Sequence, residues 1–551
     1  MDILVFSILT NLLYYCTGKI LSANKNQDFF SLFYVYFLGS ICVSSIALFL
    51  NFFIKLDQLV NSLFYLIILL IFLIKEKFQL NKNNIKFLII SSIITFLLLL
   101  YSNINRPDAG LYHLPFISLL NENKIIFGIS NIHFRFGHTS ILQYLSAINN
   151  NYLFGENGVS IPLASIVSFF YLYFLYDIWN VIKNKEKISI SNIFSLFIVI
   201  YISYKIIRYS AFGNDAVAHL TYFYLISYIL KNNLENIKIN KTLLITTFIF
   251  INKTTLGLAF IIPLSIIFLK KVYQFEKIQK IFFSPASILI FLWLIKNILI
   301  SGCAIYPMKI TCFNSFDWTN EVEIKNVYNE SQAWSKGWPD RENKNISLEN
   351  FNKNFNWLET WGKKHLKYIL KIIVPYFLFI LIISFIIINK NIFSKKNINK
   401  DLNLRLNLCI FTSLIGLVSF FLIFPIYRYG YSFIVTLISL FCIQLIKDKI
   451  GNNILIFKVI FSIAILIFLS KQIQKINKNY ENGRWPNIYT LNDNGQINKT
   501  LKKNIGENFY YYKVISGDHL CMYSKSPCTS YELTSNIDHT LIYDYSIITK
   551  K

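Results

Sequence analysis

Residues 30–52 read FSLFYVYFLGSICVSSIALFLNF and contain no charged side chain. A helix of about 20 apolar residues covers the roughly 30 Å hydrocarbon core of a bilayer. Similar apolar blocks recur along the 551-residue chain, of which 54% is hydrophobic and 15% is charged. Soluble proteins carry about 25% charged residues. The composition excludes a soluble enzyme, a disordered chain and a fibrous protein, and it predicts an all-α polytopic membrane protein.

The apolar blocks predict about 14 transmembrane helices. One junction, at Asn252-Lys253, has two interpretations: a turn between two short spans, or a kink within a re-entrant segment. The predicted spans are 2–21, 30–52, 58–74, 86–101, 159–182, 189–207, 216–230, 242–252, 254–269, 281–300, 367–389, 404–424, 431–446 and 453–471.

The lysines lie in alternate gaps between these spans rather than in one basic patch, so the net charge of +25 does not indicate nucleic-acid binding. By the positive-inside rule the lysine-rich gaps are cytoplasmic, and both termini are then outside. The lysine-rich gaps are 75–86, 183–187, 231–241, 270–280, 390–400 and 447–449. The gaps expected outside are 102–158, 208–215, 301–366, 425–430 and the tail from 473.

This pattern divides the chain into three groups of spans and three extracytoplasmic regions. The tail has alternating residues near 509–515 that are typical of a strand. Two pairs of cysteines, 303 with 312 and 521 with 528, lie outside the spans, where each pair is able to form a disulfide. The predicted regions are N-terminal spans 1–101, a first loop 102–158, central spans 159–300, a Trp-rich loop 301–366, C-terminal spans 367–472 and a small tail region 473–551.

The first loop begins Asn105-Arg106-Pro107-Asp108-Ala109-Gly110-Leu111-Tyr112-His113. The apolar pattern that follows predicts juxtamembrane helices at 111–120 and 138–150. Asp108 is the candidate general base, because a carboxylate at the membrane surface can accept a proton from a hydroxyl nucleophile. The alternative, which does not exclude the first, is that Asp108 caps a helix N-terminus. The same loop contains His113, His133, Arg135 and His138.

Basic residues are disfavoured on the extracytoplasmic side, so those present there need a reason. Arg208, Lys253 and Arg428 each lie in a short external gap. Arginine and lysine bind phosphate, and a polyprenyl phosphate carries its charge at this depth. With Arg106 and Arg135 they form a candidate phosphate site. For any one of them, snorkelling of the side chain to the interface is the alternative.

Other residues are candidates for the site because of where they lie in the chain. Asp215 begins a span and is either a second site carboxylate or a helix cap. Trp334 and Trp338 are candidates for stacking on a sugar or for an aromatic belt. His113, His133 and His138 would be the ligands of a divalent metal, but they lack the spacing of a structural site, so no cofactor is firmly implied. No nucleotide-binding motif occurs in the sequence.

The arrangement resembles the GT-C superfamily of membrane glycosyltransferases, which includes protein mannosyltransferases and aminoarabinose transferases. Those proteins have many spans and a first large external loop with two juxtamembrane helices and an early catalytic acid; Asp108 stands at that place. More narrowly, the chain is similar to largely uncharacterised bacterial GT-C-like membrane proteins. The stretches that carry this likeness are Asp108…Tyr112-His113, Gly128…Asn131…His133…Arg135, Ser301-Gly302…Tyr306-Pro307, Pro425…Arg428-Tyr429 and Cys521…Pro527-Cys528-Thr529.

The chain departs from that superfamily in two ways. Its large external loop does not follow the first span. In addition, Asp108 is followed by Ala109 and Gly110 rather than by a second acid. Asp215 is then expected to take the role of the second acid.

The resemblance implies transfer of a sugar from a polyprenyl-phosphate donor to a glycan, lipid or protein acceptor on the periplasmic side of a bacterial inner membrane. Asp108 would be the base, His113 would orient a substrate, and Tyr112, His133, His138, Trp334 and Trp338 would contact acceptor or sugar. Two alternatives stay open. A lipid-linked oligosaccharide polymerase or ligase would depend on arginine and histidine rather than on Asp108. A transporter or flippase would show inverted repeats and mid-membrane charges.

Overall fold

In the computed structural model the protein is mostly helical. Twenty α-helices are found in the described part of the chain. The described residues are 1–22, 28–76, 81–102, 107–272, 274–388, 400–449, 454–489, 499–505, 509–515, 520–533 and 536–550. The helices are α1 Asp2–Leu21, α2 Phe29–Asn51, α3 Gln58–Glu76, α4 Lys82–Leu99, α5 Leu114–Glu122, α6 Ile141–Ala147, α7 Ile161–Asn184, α8 Ile190–Tyr209, α9 Asp215–Lys231, α10 Ile239–Asn252, α11 Ile261–Leu269, α12 Phe275–Phe282, α13 Pro285–Ser301, α14 Glu321–Ser335, α15 Leu348–Asn352, α16 Leu358–Trp361, α17 Lys367–Ile387, α18 Lys400–Ile423, α19 Tyr431–Ile446 and α20 Ile454–Asn479.

Nine helices in the described ranges are long and apolar enough to cross a membrane, which supports the predicted helical membrane protein. They are α1, α2, α3, α4, α7, α8, α17, α18 and α20. The other five predicted spans also fall on helices, but these are shorter: α9, α10, α11, α13 and α19. The predicted span 281–300 is bent, because α12 and α13 meet at an angle of 50° around Ser284-Pro285.

The centre of the bundle is α7, which is buried along nearly its whole length. Its helical neighbours are α1, α2, α4, α6, α8, α9 and α20. The contact between α1 and α2 is unusually close, since Gly18 and Gly39 lie where the helices cross. A Cβ at Gly39 would overlap the carbonyl oxygen of Tyr14, and one at Gly18 would overlap that of Val35. Small residues allow apolar helices to approach in this way.

The junction at Asn252-Lys253 is a sharp turn between two short helical segments. The chain leaves α10 at Asn252, adopts an extended conformation at Lys253, and continues through a 3₁₀ segment at Thr254–Phe260 into α11. Both later segments pack back against α10. This turn brings Lys253 to the end of the bundle where α9 begins.

The first loop contains two helical parts, as predicted. A π-helical turn at Ala109–His113 leads directly into α5, and α6 follows farther along the loop. Ser140 caps α6 through a reciprocal pair of hydrogen bonds with Gln143. The π turn places His113 beside Asp108 and directs both toward the bundle end.

The C-terminal region adds strands to an otherwise helical protein and does not stand apart from the first loop. Met522 N–H donates to Gly110 O at 2.9 Å, and Ser526 N–H donates to Glu122 Oε2 at 2.9 Å.

Both anticipated disulfides, Cys303–Cys312 and Cys521–Cys528, are present. The strand predicted near 509–515 is confirmed as β2. The strands are β1 Thr500–Ile505, β2 Phe509–Val514, β3 Cys528–Thr529, β4 Ile537–Ile542 and β5 Tyr545–Lys550, arranged as the sheets β1-β2-β3 and β4-β5.

Candidate functional site

A cavity of about 410 Å³ lies at the end of the bundle where α8 ends and where α9, α17 and α19 begin. The π turn at Ala109–His113 contributes to one wall. Five basic side chains and two carboxylates line it, together with histidines and tyrosines. The ionisable lining residues include Asp108, His113, Lys205, Arg208, Asp215, His219, Lys371, Arg428 and Lys471. A dense set of charges in a semi-enclosed membrane-protein cavity is typical of a functional site.

Asp108 is held by two arginines from distant parts of the chain. Arg428 Nη2 donates to Oδ2 of Asp108, and Arg135 Nη1 lies 3.4 Å from Oδ1. Asp108 makes no capping hydrogen bond to the helix that follows it. The structure therefore assigns its side chain to ion pairing rather than to the helix-cap alternative.

Asp215, at the first residue of α9, is the second carboxylate of this cluster. Lys253 donates to its Oδ1, while Arg428 Nε and Arg208 Nη2 lie 3.6 and 3.9 Å from its Oδ2. The N-cap position of α9 belongs to Asn214, whose Nδ2 donates to Asn252 O at 2.7 Å. Arg428 thus contacts both Asp108 and Asp215, and it joins the two halves of the site.

Burial raises the pKa of the Asp108 carboxyl, but the charges of Arg428 and Arg135 outweigh burial and hold the pKa below its ordinary value. Asp108 is therefore ionised at neutral pH. Burial lowers the pKa of Lys253 to about 8 despite the opposing effect of Asp215. Lys253 also lies 3.5 Å above the ring centroid of Tyr429, which stabilises the ammonium.

His113 is neutral at physiological pH, because burial lowers its pKa to about 4. Its tautomer follows from a chain of hydrogen bonds. Ser140 N–H donates to Gln143 Oε1 at 2.7 Å, so the amide nitrogen of Gln143 is the group 3.2 Å from His113 Nδ1. That nitrogen donates, and His113 Nδ1 accepts. The proton of His113 then resides on Nε2, where it is available to donate to a ligand.

Several predicted site residues lie elsewhere. His133 accepts a hydrogen bond from Arg135 N–H and packs on Tyr531, and His138 packs on Tyr306. Neither histidine lines the cavity. Trp334 is 59% exposed on α14, and Trp338 lies under the guanidinium of Arg341. Both tryptophans are outside the cavity lining. Arg106 lies outside the described residues. Tyr112 does line the cavity, and the Arg135 guanidinium lies 5.5 Å from its ring centroid.

Sequence reasoning missed other members of the site. Tyr429 was adjacent to a candidate, but nothing in the sequence marked its ring as the partner of Lys253. Gln143 became relevant only through the fold. Lys205, Lys371 and Lys471 carried a usable signal, since each is a basic residue one or two turns inside the end of an apolar helix.

The arrangement is suited to holding an anion beside an ionised carboxylate. The cations can neutralise a phosphate, His113 can donate a hydrogen bond, and Asp108 can accept a proton once a ligand competes for Arg428. Within the described ranges, no group of three or more His, Cys, Asp or Glu side chains is placed to hold a metal ion.

Comparison with curated proteins and with solved structures gives no match to this chain. A family model described as "Domain of unknown function (DUF8201)" matches residues 1–435. The matched range contains both carboxylates of the cavity and Arg428. The protein therefore belongs to the DUF8201 family.

Proposed function

We propose that this protein is a membrane glycosyltransferase of the GT-C type. It moves a sugar from a polyprenyl-phosphate donor to a glycan, lipid or protein acceptor. The observation that carries the proposal is the shared position of Arg428, which contacts Asp108 and Asp215 in one cavity. A cationic cavity with a carboxylate at its centre has the two functions that this transfer needs, phosphate binding and proton acceptance.

The proposed topology has fourteen spans, with both termini and the cavity on the periplasmic side of a bacterial inner membrane. The alternation of lysine-rich gaps supports this orientation. The shorter helices α9, α10, α11, α13 and α19 would complete the set of spans. Residues from the ends of α8 and the starts of α9 and α19 would then lie at the level of lipid head groups, where a polyprenyl chain presents its phosphate.

The donor phosphate would be held by Arg208, Lys253 and Arg428. Arginine matches phosphate oxygens in bidentate geometry, and lysine adds a point charge. As the sugar departs, negative charge develops on the phosphate, and preorganised cations stabilise that charge in the transition state. His113 Nε2–H would supply one further hydrogen bond to the donor or the acceptor.

Asp108 would act as the general base. In the unliganded protein its ion pairs make it a weak base, but an incoming phosphate competes for Arg428 and adds negative charge nearby. Both effects raise the pKa of Asp108. The acceptor hydroxyl gives its proton to Asp108, and the acceptor oxygen bonds to the anomeric carbon. The bond from that carbon to the phosphate oxygen breaks, and the electron pair leaves with the phosphate.

A profile of glycans and lipid-linked sugars tests this proposal in cells. A strain lacking the protein is complemented at matched membrane levels with wild type, with Asp108→Asn, or with Asp317→Asn, an exposed carboxylate of the Trp-rich loop. We expect wild type and Asp317→Asn to restore the missing sugar. Asp108→Asn should instead accumulate the polyprenyl-linked donor, because the base is lost while the binding cations remain.

The same strain distinguishes the polymerase or ligase alternative. If Asp108→Asn complements as well as wild type while Arg428→Gln and His113→Gln do not, the base assignment is wrong and the polymerase or ligase gains support. A third outcome would contradict both enzymatic accounts. The strain that lacks the protein would fail to transport a lipid-linked sugar, while the modification of acceptors in vitro would be unaltered.

A further inference from the structure

A second group of cations lines the cavity, apart from the cations that pair with Asp108 and Asp215. Lys205 on α8, Lys371 on α17 and Lys471 on α20 come from three different helices and line the same cavity. We call them the outer lysines. Each lies one or two helical turns inside the end of its helix, a depth at which basic residues are rare without a functional reason. The proposed base and phosphate clamp do not use them.

The outer lysines have no acidic partner among the described residues. No carboxylate of the described chain lies within the 4 Å of an ion pair from any of their ammonium groups. Lys471 donates to the amide oxygen of Gln474 at 3.1 Å, and Lys205 lies 5.1 Å from the ring centroid of Tyr431. Unlike Lys253 and Arg428, which are neutralised by aspartates, these lysines leave their charge unbalanced.

The net positive charge of the cavity exceeds the charge that a single phosphate can neutralise. Five basic side chains and two carboxylates line it, which leaves an excess of three positive charges. A sugar linked to a lipid through one phosphate carries a single negative charge, whereas a diphosphate link carries two. Lys205 precedes Arg208 by three residues on α8, a rise of roughly 5 Å along the helix. That spacing suits two phosphates that share an oxygen.

From Lys371 toward the middle of α17, and from Lys471 toward the middle of α20, the exposed helix surface is largely apolar. Along α17 the exposed side chains include Leu370, Val374 and Leu378, and along α20 they include Leu466 and Leu469. A hydrocarbon chain leaving the cavity at Lys371 or Lys471 would therefore lie on apolar helix surface. This arrangement favours a diphosphate attached to a lipid over a soluble one.

We infer that Lys205, Lys371 and Lys471 bind the lipid-proximal phosphate of a lipid-linked diphosphate, whose sugar-proximal phosphate lies at Arg208 and Arg428. The inference rests on the proposed function for the inner phosphate and narrows the donor from a polyprenyl phosphate in general to a polyprenyl diphosphate. The leaving group of the transfer is then the lipid diphosphate.

The test compares three probes on the purified full-length protein in nanodiscs at constant ionic strength: farnesyl phosphate, farnesyl diphosphate and inorganic diphosphate. The variant carries Lys205→Gln, Lys371→Gln and Lys471→Gln. The control is Lys187→Gln, an exposed lysine between α7 and α8. Thermal unfolding of each protein verifies that the variant is folded, and single Lys→Gln variants replace the triple one if it is not.

We expect wild type and Lys187→Gln to bind farnesyl diphosphate about tenfold or more tightly than farnesyl phosphate. The triple variant should lose most of that preference while its affinity for farnesyl phosphate stays within about twofold. Equal affinity of wild type for the two farnesyl probes would overturn the inference but leave the proposed function standing. An equal loss of affinity for both farnesyl probes in the triple variant would also overturn the inference.

Two further outcomes are informative. If inorganic diphosphate binds as tightly as farnesyl diphosphate, the ligand is not lipid-linked and the inference is wrong on that point. If neither farnesyl probe binds wild type, the inner phosphate site fails, and the proposed function fails with it.

Discussion

Arg428 contacts both acidic residues of the cavity, and its guanidinium makes the site one unit rather than two. Asp108 and Asp215 are separated by more than a hundred residues, yet each is an ion-pair partner of Arg428. An arginine can do this because its planar group presents several N–H donors in a fixed geometry, which a lysine does not. A ligand phosphate that engages Arg428 therefore changes the environment of both carboxylates at once.

Lys253 should make ligand binding pH-dependent. Burial lowers its pKa to about 8, so its positive charge is present below that pH and is lost as the pH rises through it. We expect the affinity for farnesyl phosphate to fall between pH 7 and pH 9, by up to about tenfold for the loss of one charged contact. Lys253→Arg stays charged over this range and should abolish the fall. The measurement is the dissociation constant of each protein at both pH values. An equal fall in wild type and Lys253→Arg would assign the titration to another group.

Sequence alone predicted part of this site. Asp108, Arg208, Asp215, Lys253 and Arg428 were each singled out, and the fold brings all five together. For the three cations the signal was chemical, since basic residues in gaps expected outside the membrane need a reason. His133, His138, Trp334 and Trp338 were selected by residue type and by their position in external loops, but they lie away from the cavity. Residue type and loop position do not fix which way a side chain points.

At the level of the helices, the crossing of α1 and α2 has the strictest requirement for small side chains. Gly18 and Gly39 bring the two backbones so close that no side chain fits between them. The long apolar blocks were sufficient to predict these helices, because a membrane requires backbone hydrogen bonds to be satisfied within each segment. The bend between α12 and α13 and the turn at Lys253 were not predictable to the same degree, since they depend on packing against neighbouring helices.

Substitution of Gly39 should separate α1 from α2. In Gly39→Ala the new methyl group would overlap the Tyr14 carbonyl, which belongs to the backbone and cannot move aside cheaply. We expect a destabilisation of about 1–3 kcal/mol, as for other overpacked contacts. Gly362→Ala is the matched control, because no atom lies within 4 Å of its added Cβ and its backbone is helical. The measurement is thermal unfolding in detergent, and equal melting temperatures for the two variants would show that the helices do not cross at Gly39.

In the molecule as a whole, the C-terminal region reinforces the first loop rather than forming a separate unit. Its contacts reach both ends of the segment that includes α5, at Gly110 and at Glu122. Both contacts come from the short loop closed by Cys521 and Cys528. The sequence predicted strands and the cysteine pairs here, but not this docking, because contacts across more than 400 residues leave no local pattern.

Removal of the Cys521–Cys528 disulfide should loosen the segment that carries Asp108. Closure of a short loop typically contributes about 2–3 kcal/mol. We expect the double variant Cys521→Ser, Cys528→Ser to be less stable and to lose activity more than the variant Cys303→Ser, Cys312→Ser, whose loop contacts neither Gly110 nor Glu122 among the described hydrogen bonds. Melting temperature and sugar transfer are measured for both variants. Equal losses of activity would argue against a specific support of Asp108.

The central claim is that this cavity transfers a sugar from a lipid-linked donor with Asp108 as base. The most direct measurement uses lipids extracted from the strain that lacks the protein, incubated with purified protein and an acceptor fraction and followed by mass spectrometry. The account predicts that wild type consumes one lipid-linked sugar and releases its polyprenyl phosphate or diphosphate, and that Asp108→Asn binds the same lipid without consuming it. Consumption at the wild-type rate by Asp108→Asn, or no consumption by wild type, would contradict the account.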